Sequence, residues 1–250
     1  MIKKLQFILL FIFLLALPAL GVANDNADAG GDDEFFDLLD EQEEEEDEVS
    51  IADPLEPLNR GIFYFNDKLY FWVLKPTSQV YAGILSEELR IAVKNFFHNL
   101  VMPVRLASSL LQGKFKRAGM EVGRFSVNTV FGAFGLFDVA NEHLEWKRED
   151  EDLGQTLGYY GVGEGFYIVL PFFGPSSARD AIGLVGDHFL SPPTYLPWSF
   201  EEKTGLRAGE TVNNTSLRVG EYEDIKEDAL DPYIAVRNIY IQYRQEKVRK

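Results

Sequence analysis

The chain has no cysteine, only three histidines and no basic segment, and each shortage removes a class of chemistry. Without thiols there are no disulfides, no thiolate metal ligands, no cysteine nucleophile and no acylated cysteine at the head of a mature protein. His98, His143 and His188 lie far apart, and neither HxxxH nor HExxH occurs, so no metal site is expected. The net charge of −16 is concentrated in one place. Asn24 to Asp53 holds 15 acidic residues and no basic one, and with Lys3 and Lys4 set aside the remainder carries about −3. A nucleic-acid binder would need a clustered basic face, so no nucleic-acid partner is expected. Long apolar runs are scarce too: the 11 residues of Phe7–Leu17 reach roughly 16 Å as a helix, short of the ~30 Å hydrocarbon core.

That run follows Lys3 and Lys4, is broken by Pro18, and is succeeded by small residues at Gly21 and Ala23. Residues 1–23 therefore read as a signal peptide cleaved before Asn24, or as an uncleaved anchor, and imply export to a bacterial periplasm. Residues 24–52 read as a disordered acidic tether, because like charges repel and few apolar groups exist to bury. "FFDLL" at Phe35–Leu39 interrupts it as a candidate docking element. The body, residues 53–250, holds most of the apolar surface, and 20 phenylalanines make the chain rich in aromatics.

Helical spacing dominates the body. Asp53-Pro54 is expected to cap a helix whose stripe is Leu58, Ile62, Phe65, Leu69 and Trp72, with further aromatics off the stripe. A helix apolar on more than one side is either buried on both or in contact with lipid. Ser86 is expected to cap a helix bearing Leu89, Val93, Phe96 and Leu100. Pro103 starts another that Gly113 ends, and Phe115, Ala118, Val122 and Phe125 mark a longer one. Ala178, Ile182, Val185 and Phe189 mark another. A polar helical region begins near Phe200, and Asp231-Pro232 repeats the cap-and-proline device. Period-two alternation is nearly absent. "FYIVLPFF" is compatible with a short strand, though Pro171 argues against a central one. The expected fold is mainly α, with little or no sheet.

Two segments stand out. "TLGYYGVGEGFYIVLPFFGPSSARD", Thr156–Asp180, has glycines at 158, 161, 163 and 165, but Phe166 occupies the place where a P-loop needs lysine, and G-x-G-x-x-G spacing is missing. "GPSSA" resembles a nucleophile turn only loosely, and Ser176 or Ser177 is better read as the cap of the helix from Ala178. The third reading is a bendable wall: Tyr159 and Tyr160 present apolar faces with polar tips, and Gly161 and Gly163 let the backbone pack closely or turn. An ordinary core loop would have the same composition. "FSVNTVFGAFGLFDVANEHL" is apolar from Val130 to Val139 except for Asp138, with Gly132 and Gly135 as hinges. It is too short to span a bilayer and reads as a helical hairpin, either buried in a core or re-entrant at a membrane.

Taken in order, "ADPLEPLNRGIFYFND", "GRFSVNTVFGAFGLFDVA", "DLGQTLGYYGVGEGFYIVLPFFGPSSARD" and "DPYIAVRNIYIQYR" resemble the VacJ/MlaA family over roughly Asp53 to Arg244. The resemblance implies a single ring-like helical domain at the periplasmic face of the outer membrane, with a central amphipathic channel. It implies a phospholipid-transfer protein rather than an enzyme, with no cofactor. It also implies two partners: a porin-like trimeric outer-membrane protein, and a soluble periplasmic carrier that receives phospholipid removed from the outer leaflet. By the same resemblance the channel-side hairpin is Asn128, Val130, Phe131, Gly132, Phe134, Gly135, Leu136 and Phe137, with Phe65 and Asn66 nearby; Tyr159, Tyr160, Gly161 and Gly163 are the flexible wall read above from their own chemistry. An amphipathic lipid needs such mixed surfaces, since burying its head group without partners costs several kcal/mol. Typical members carry a lipidated cysteine after the signal peptide, and this chain has none, so retention is expected through its own apolar rim, a porin-like partner or the uncleaved N-terminus. The rivals are a porin-associated adaptor that moves no lipid, and a periplasmic lipid hydrolase using Ser176 or Ser177. For Phe134, core and gate differ in cost: truncation to alanine loses roughly 3–5 kcal/mol in a packed core and much less at a lipid-lined gate.

Overall fold

The computed structural model of the protein describes residues 51–250; the signal segment, the FFDLL element and the acidic tether through residue 50 lie outside the described residues. Helix α1 (Glu56–Leu69) runs through a π-helical stretch (Tyr70–Leu74) into α2 (Lys75–Ile84), followed by α3 (Glu87–Leu100), α4 (Met102–Leu111) and α5 (Phe115–Val130). A tight turn leads to α6 (Val139–Leu144) and α7 (Leu153–Tyr159). Strands β1 (Tyr167–Leu170) and β2 (Gly174–Ser177) form a hairpin, and α8 (Ala178–Leu190), a 3₁₀ turn (Pro192–Tyr195), α9 (Phe200–Ser216), α10 (Glu221–Asp228) and α11 (Pro232–Arg249) complete the described chain. The architecture is mainly α, as expected.

Local chemistry explains most element boundaries. Ser177 accepts from Asp180 N and caps α8. Ser199 and Glu202 form a reciprocal capping box on α9. Asp231 accepts from Tyr233 N and Ile234 N ahead of Pro232. Two expected caps differ. Helix α1 starts at Glu56 after Leu55, without a side-chain cap. The Asp53 carboxylate is drawn instead into the interior, where Asn59 Nδ2 donates to it at 2.8 Å and the Tyr233 hydroxyl also donates. Ser86 precedes α3 but makes no cap bond to the backbone. Strand β1 ends just before Pro171, which falls in the turn and so removes no ladder bond.

The interior is polar. Among the described residues only nine apolar side chains are buried, against 23 polar or charged ones, while 31 large hydrophobics are exposed. The apolar core is small: Tyr167 and Val169, alternating inward on β1, pack with Tyr233 and Ile241 of α11. The helical stripes exist as read from the sequence but largely face outward. Leu58, Phe65 and Trp72 of α1 and the π-helical stretch are exposed, as are Phe115 and Val122 of α5 and Ile182, Val185 and Phe189 of α8. Asn59 and Asp67 of α1, Glu121 and Arg124 of α5, and Arg179 and Asp180 of α8 face inward.

Buried charge is tolerable only when paired and hydrogen-bonded, and here it is. Asp180 accepts from Arg244 Nε at 3.0 Å and Nη2 at 2.9 Å, from Arg179 Nε at 2.9 Å and from the Tyr240 hydroxyl at 2.8 Å. Burial alone would raise the Asp180 carboxyl; Arg244 and Arg179 outweigh it and hold its pKa down to about 2. Arg244 also donates to Asp152, tying α11 to the start of α7. Backbones meet closely there, since a Cβ on Gly183 of α8 would lie 2.3 Å from Gly154 N of α7. Arg105 pairs with Glu121 at 2.8 Å, joining α4 to α5.

Candidate functional site

Helices α3, α4, α8 and α9, the Arg148–Asp152 segment and Phe173 at the hairpin tip surround a cavity of about 690 Å³. That is within the usual range of ligand sites, ~300–1,000 Å³. Phe97, Val101, Val104, Leu184, Val185 and Phe189 give it apolar walls. Lys94, Arg105, Arg148, Asp150, Asp187, Arg207 and Glu210 give it polar ones. Both kinds of surface follow from the fold. Helix α8 supplies Val185 and Phe189 from its outward stripe together with Asp187, and α3, α4, α9 and the Arg148–Asp152 segment supply the remaining charges.

The polar wall is tuned by its neighbours. Arg148 donates to Asp138 at 2.8 Å and also to Asn95. His98 lies 3.7 Å from Asp150 through Nδ1, and its buried Nε2 has no hydrogen-bond partner. Burial, reinforced by Arg105 and Arg148, holds the imidazole pKa well below its usual value, so the ring is neutral near pH 7. The Asp187 carboxyl accepts from Leu153 N at 3.0 Å, and burial together with Asp152 pushes its pKa up to about 7. Arg207 Nη2 lies 2.7 Å from His188 Nδ1. Such a wall can hold an amphipath, with apolar area against phenylalanine and valine and a charged head against polar tips.

The residues expected to line a channel from sequence fall in three other places, and none is among this cavity's lining residues. The first is the turn after α5. Val130, Phe131, Phe134 and Phe137 are exposed there, with Leu136 partly buried. Asn128 is buried beneath it, donating to Asp138 at 2.7 Å and accepting from Ala140 N at 2.8 Å. The segment is a tight turn that joins α5 to short α6. Gly132 and Gly135 are close-packing positions rather than hinges. A Cβ on Gly132 would sit 2.2 Å from Phe137 O, and one on Gly135, whose φ is +93°, 2.5 Å from the Asn99 side chain. Asn99 and Asn95 donate to Phe134 O and Leu136 O, pinning the turn from within.

The second place is the contact of α1 with the β-hairpin tip. Asn66 donates to Leu170 O at 3.0 Å and accepts from Phe172 N at 2.9 Å, while Phe65 packs edge-on against Phe172. Phe65 and Phe172 help to form an apolar surface groove of about 400 Å³. The third is the end of α7, where Tyr159 and Tyr160 are exposed and Tyr160 donates to Leu111 O at 2.5 Å. A Cβ would meet open space at both Gly161 and Gly163; Gly161 needs its glycine for its φ of +83°, as a turn position, whereas Gly163 shows neither the close packing nor the positive φ expected of it. Ser176 and Ser177 are both buried, and the Ser177 hydroxyl serves the α8 cap. Sequence reasoning missed Phe97, Val104, Leu184 and Arg207; the only signal was the α8 stripe, of which Val185 and Phe189 reach the cavity.

A family model described as MlaA lipoprotein matches residues 51–247. The intermembrane phospholipid transport system lipoprotein MlaA of Escherichia coli is 32% identical over 200 residues, covering 78% of each chain. An uncharacterized protein of Rickettsia conorii is 30% identical over 202 residues, covering 80% of each. A solved structure, reported under "Structural basis for maintenance of bacterial outer membrane lipid asymmetry", superimposes with a TM-score of 0.69 at 32% identity, covering 79% of this chain and 99% of the other.

Proposed function

The chain belongs to the MlaA lipoprotein family, and on that premise we propose that it moves phospholipid in a bacterial outer membrane, removing misplaced molecules from the outer leaflet through the amphipathic cavity. The observation that carries this reading is the inverted distribution of polarity. An apolar exterior is stable against lipid tails and costly against water, while a mixed cavity wall suits a molecule with tails and a charged head. The names of the relatives point the same way: the E. coli protein is described as part of a phospholipid transport system, and the similar structure concerns outer-membrane lipid asymmetry.

Among the described residues no helix is long and apolar enough to cross a membrane, so the protein would lie in the periplasmic leaflet, held by its apolar exterior. A porin-like trimer beside it and a soluble periplasmic carrier below it complete the reading. A non-enzymatic role is supported by Ser176 and Ser177, whose burial and capping geometry leave no exposed nucleophile there.

The test is complementation of an E. coli strain lacking its relative. This chain should lower the phospholipid open to externally added phospholipase. Leu184→Trp or Val185→Trp, at exposed positions on the cavity wall, should narrow the cavity and abolish that effect while leaving the protein folded and membrane-bound. Full clearance with a narrowed cavity would refute the passage and favour a scaffolding role.

A further inference from the structure

Most charges on the cavity wall are already compensated. Arg105 pairs with Glu121, Arg148 with Asp138, Asp152 with Arg244, and Glu151 with Lys114 and Arg117. Arg207 differs, because the hydrogen bond it makes goes to a neutral acceptor, His188 Nδ1, at 2.7 Å. A guanidinium can only donate and keeps its charge, so Nδ1 must accept and the ring proton must sit on Nε2. The pair therefore offers a full positive charge, unused guanidinium N–H groups and one imidazole N–H. It is also held in place. Thr194 Oγ1 donates to His188 O at 2.6 Å, and the imidazole packs edge-on against Phe189 at 5.8 Å. Leu184, Val185 and Phe189, on the same helix as His188, lay an apolar surface beside it.

We propose that Arg207 and His188 dock the phosphodiester of a diacyl glycerophospholipid, whose acyl chains lie against Leu184, Val185 and Phe189. The inference deepens the transport reading and rests on it. A hydrogen bond from a guanidinium to phosphate is charge-assisted and of the strong kind, a guanidinium matches phosphate in shape, and His188 Nδ1 fixes the orientation of the Arg207 fork. A free phosphate ion shares that chemistry but gains nothing from the apolar surface.

The experiment is native mass spectrometry of the full chain in mild detergent. It is titrated with dioleoylphosphatidylethanolamine, with dioleoylglycerol (the same chains without phosphate) and with inorganic phosphate. The phospholipid should bind about tenfold or more tighter than dioleoylglycerol. Arg207→Gln should reduce it to the dioleoylglycerol level and leave dioleoylglycerol unchanged, Arg207→Lys should recover part of the loss, and millimolar phosphate should displace nothing. Both side chains are exposed to the cavity, so the variants should keep the wild-type melting temperature. Equal binding of the two lipids by the wild type, or wild-type phospholipid affinity in Arg207→Gln, would overturn the proposal. Displacement by phosphate would overturn its lipid form in favour of a free-anion site. Failure of the wild type to bind either lipid would instead overturn the transport reading itself.

Discussion

Truncating the exposed Phe134 should cost less stability than truncating the buried, charged Asp180. Phe134 is 71% exposed. Less than a third of a side chain that can bury ~150–250 Å² is covered, roughly 60 Å², worth at most about 1.5 kcal/mol at ~25 cal/mol per Å². Its φ of +62° is strained for any residue with a Cβ, so alanine neither adds nor removes that cost. Asp180 is the hub for Arg244, Arg179 and Tyr240. Asp180→Ala leaves two buried guanidiniums without their shared carboxylate, and removing one partner of a buried pair costs about 3–5 kcal/mol. Urea unfolding of the full chain in mild detergent, followed by circular dichroism, would measure both. A loss of about 3–5 kcal/mol in Phe134→Ala would make the turn ordinary packed core. A loss below about 1 kcal/mol in Asp180→Ala would refute the polar interior as the source of stability.

Gly161→Val should cost about 1–2 kcal/mol, because φ is +83°, whereas Gly163→Val, facing open space, should stay within about 0.5 kcal/mol in the same assay. Asp187→Asn should change the pH profile of stability. The folded carboxyl keeps its proton up to about pH 7, whereas an unfolded aspartate, with its ordinary value of 3.8, has already lost it. The folded state therefore binds more protons between those values, and its stability falls as pH rises from about 4 to 7. Asparagine can still accept from Leu153 N and should remove that part of the fall, so thermal melts across this range with unchanged slope would contradict the assignment.

Much of the molecule was legible because it is local. Helix α11 announces itself through Asp231-Pro232, and α8 through Ser177. The 3–4 spacing of Leu58, Ile62 and Phe65 marks one face of α1 without reference to anything outside the segment. Four motifs in order were enough to indicate the family. Spacing shows that residues share a face, but not whether water, lipid or protein lies against it, because an apolar stripe is equally stable against a core and against acyl chains. Only the tertiary structure turned those stripes outward and filled the interior with Asn59, Arg124 and Asp180. Likewise, Asn128 looks like any helix residue until Asp138 and Ala140 return to bond it. Gly132 reads as a hinge until Phe137 O closes over it. The cavity was least legible of all, because its walls come from two helix pairs, α3–α4 and α8–α9, far apart in the chain, and its Arg207–His188 pair exists only where α9 is folded against α8. Local geometry is encoded in neighbouring residues, whereas which face meets which depends on the whole chain closing around paired charges.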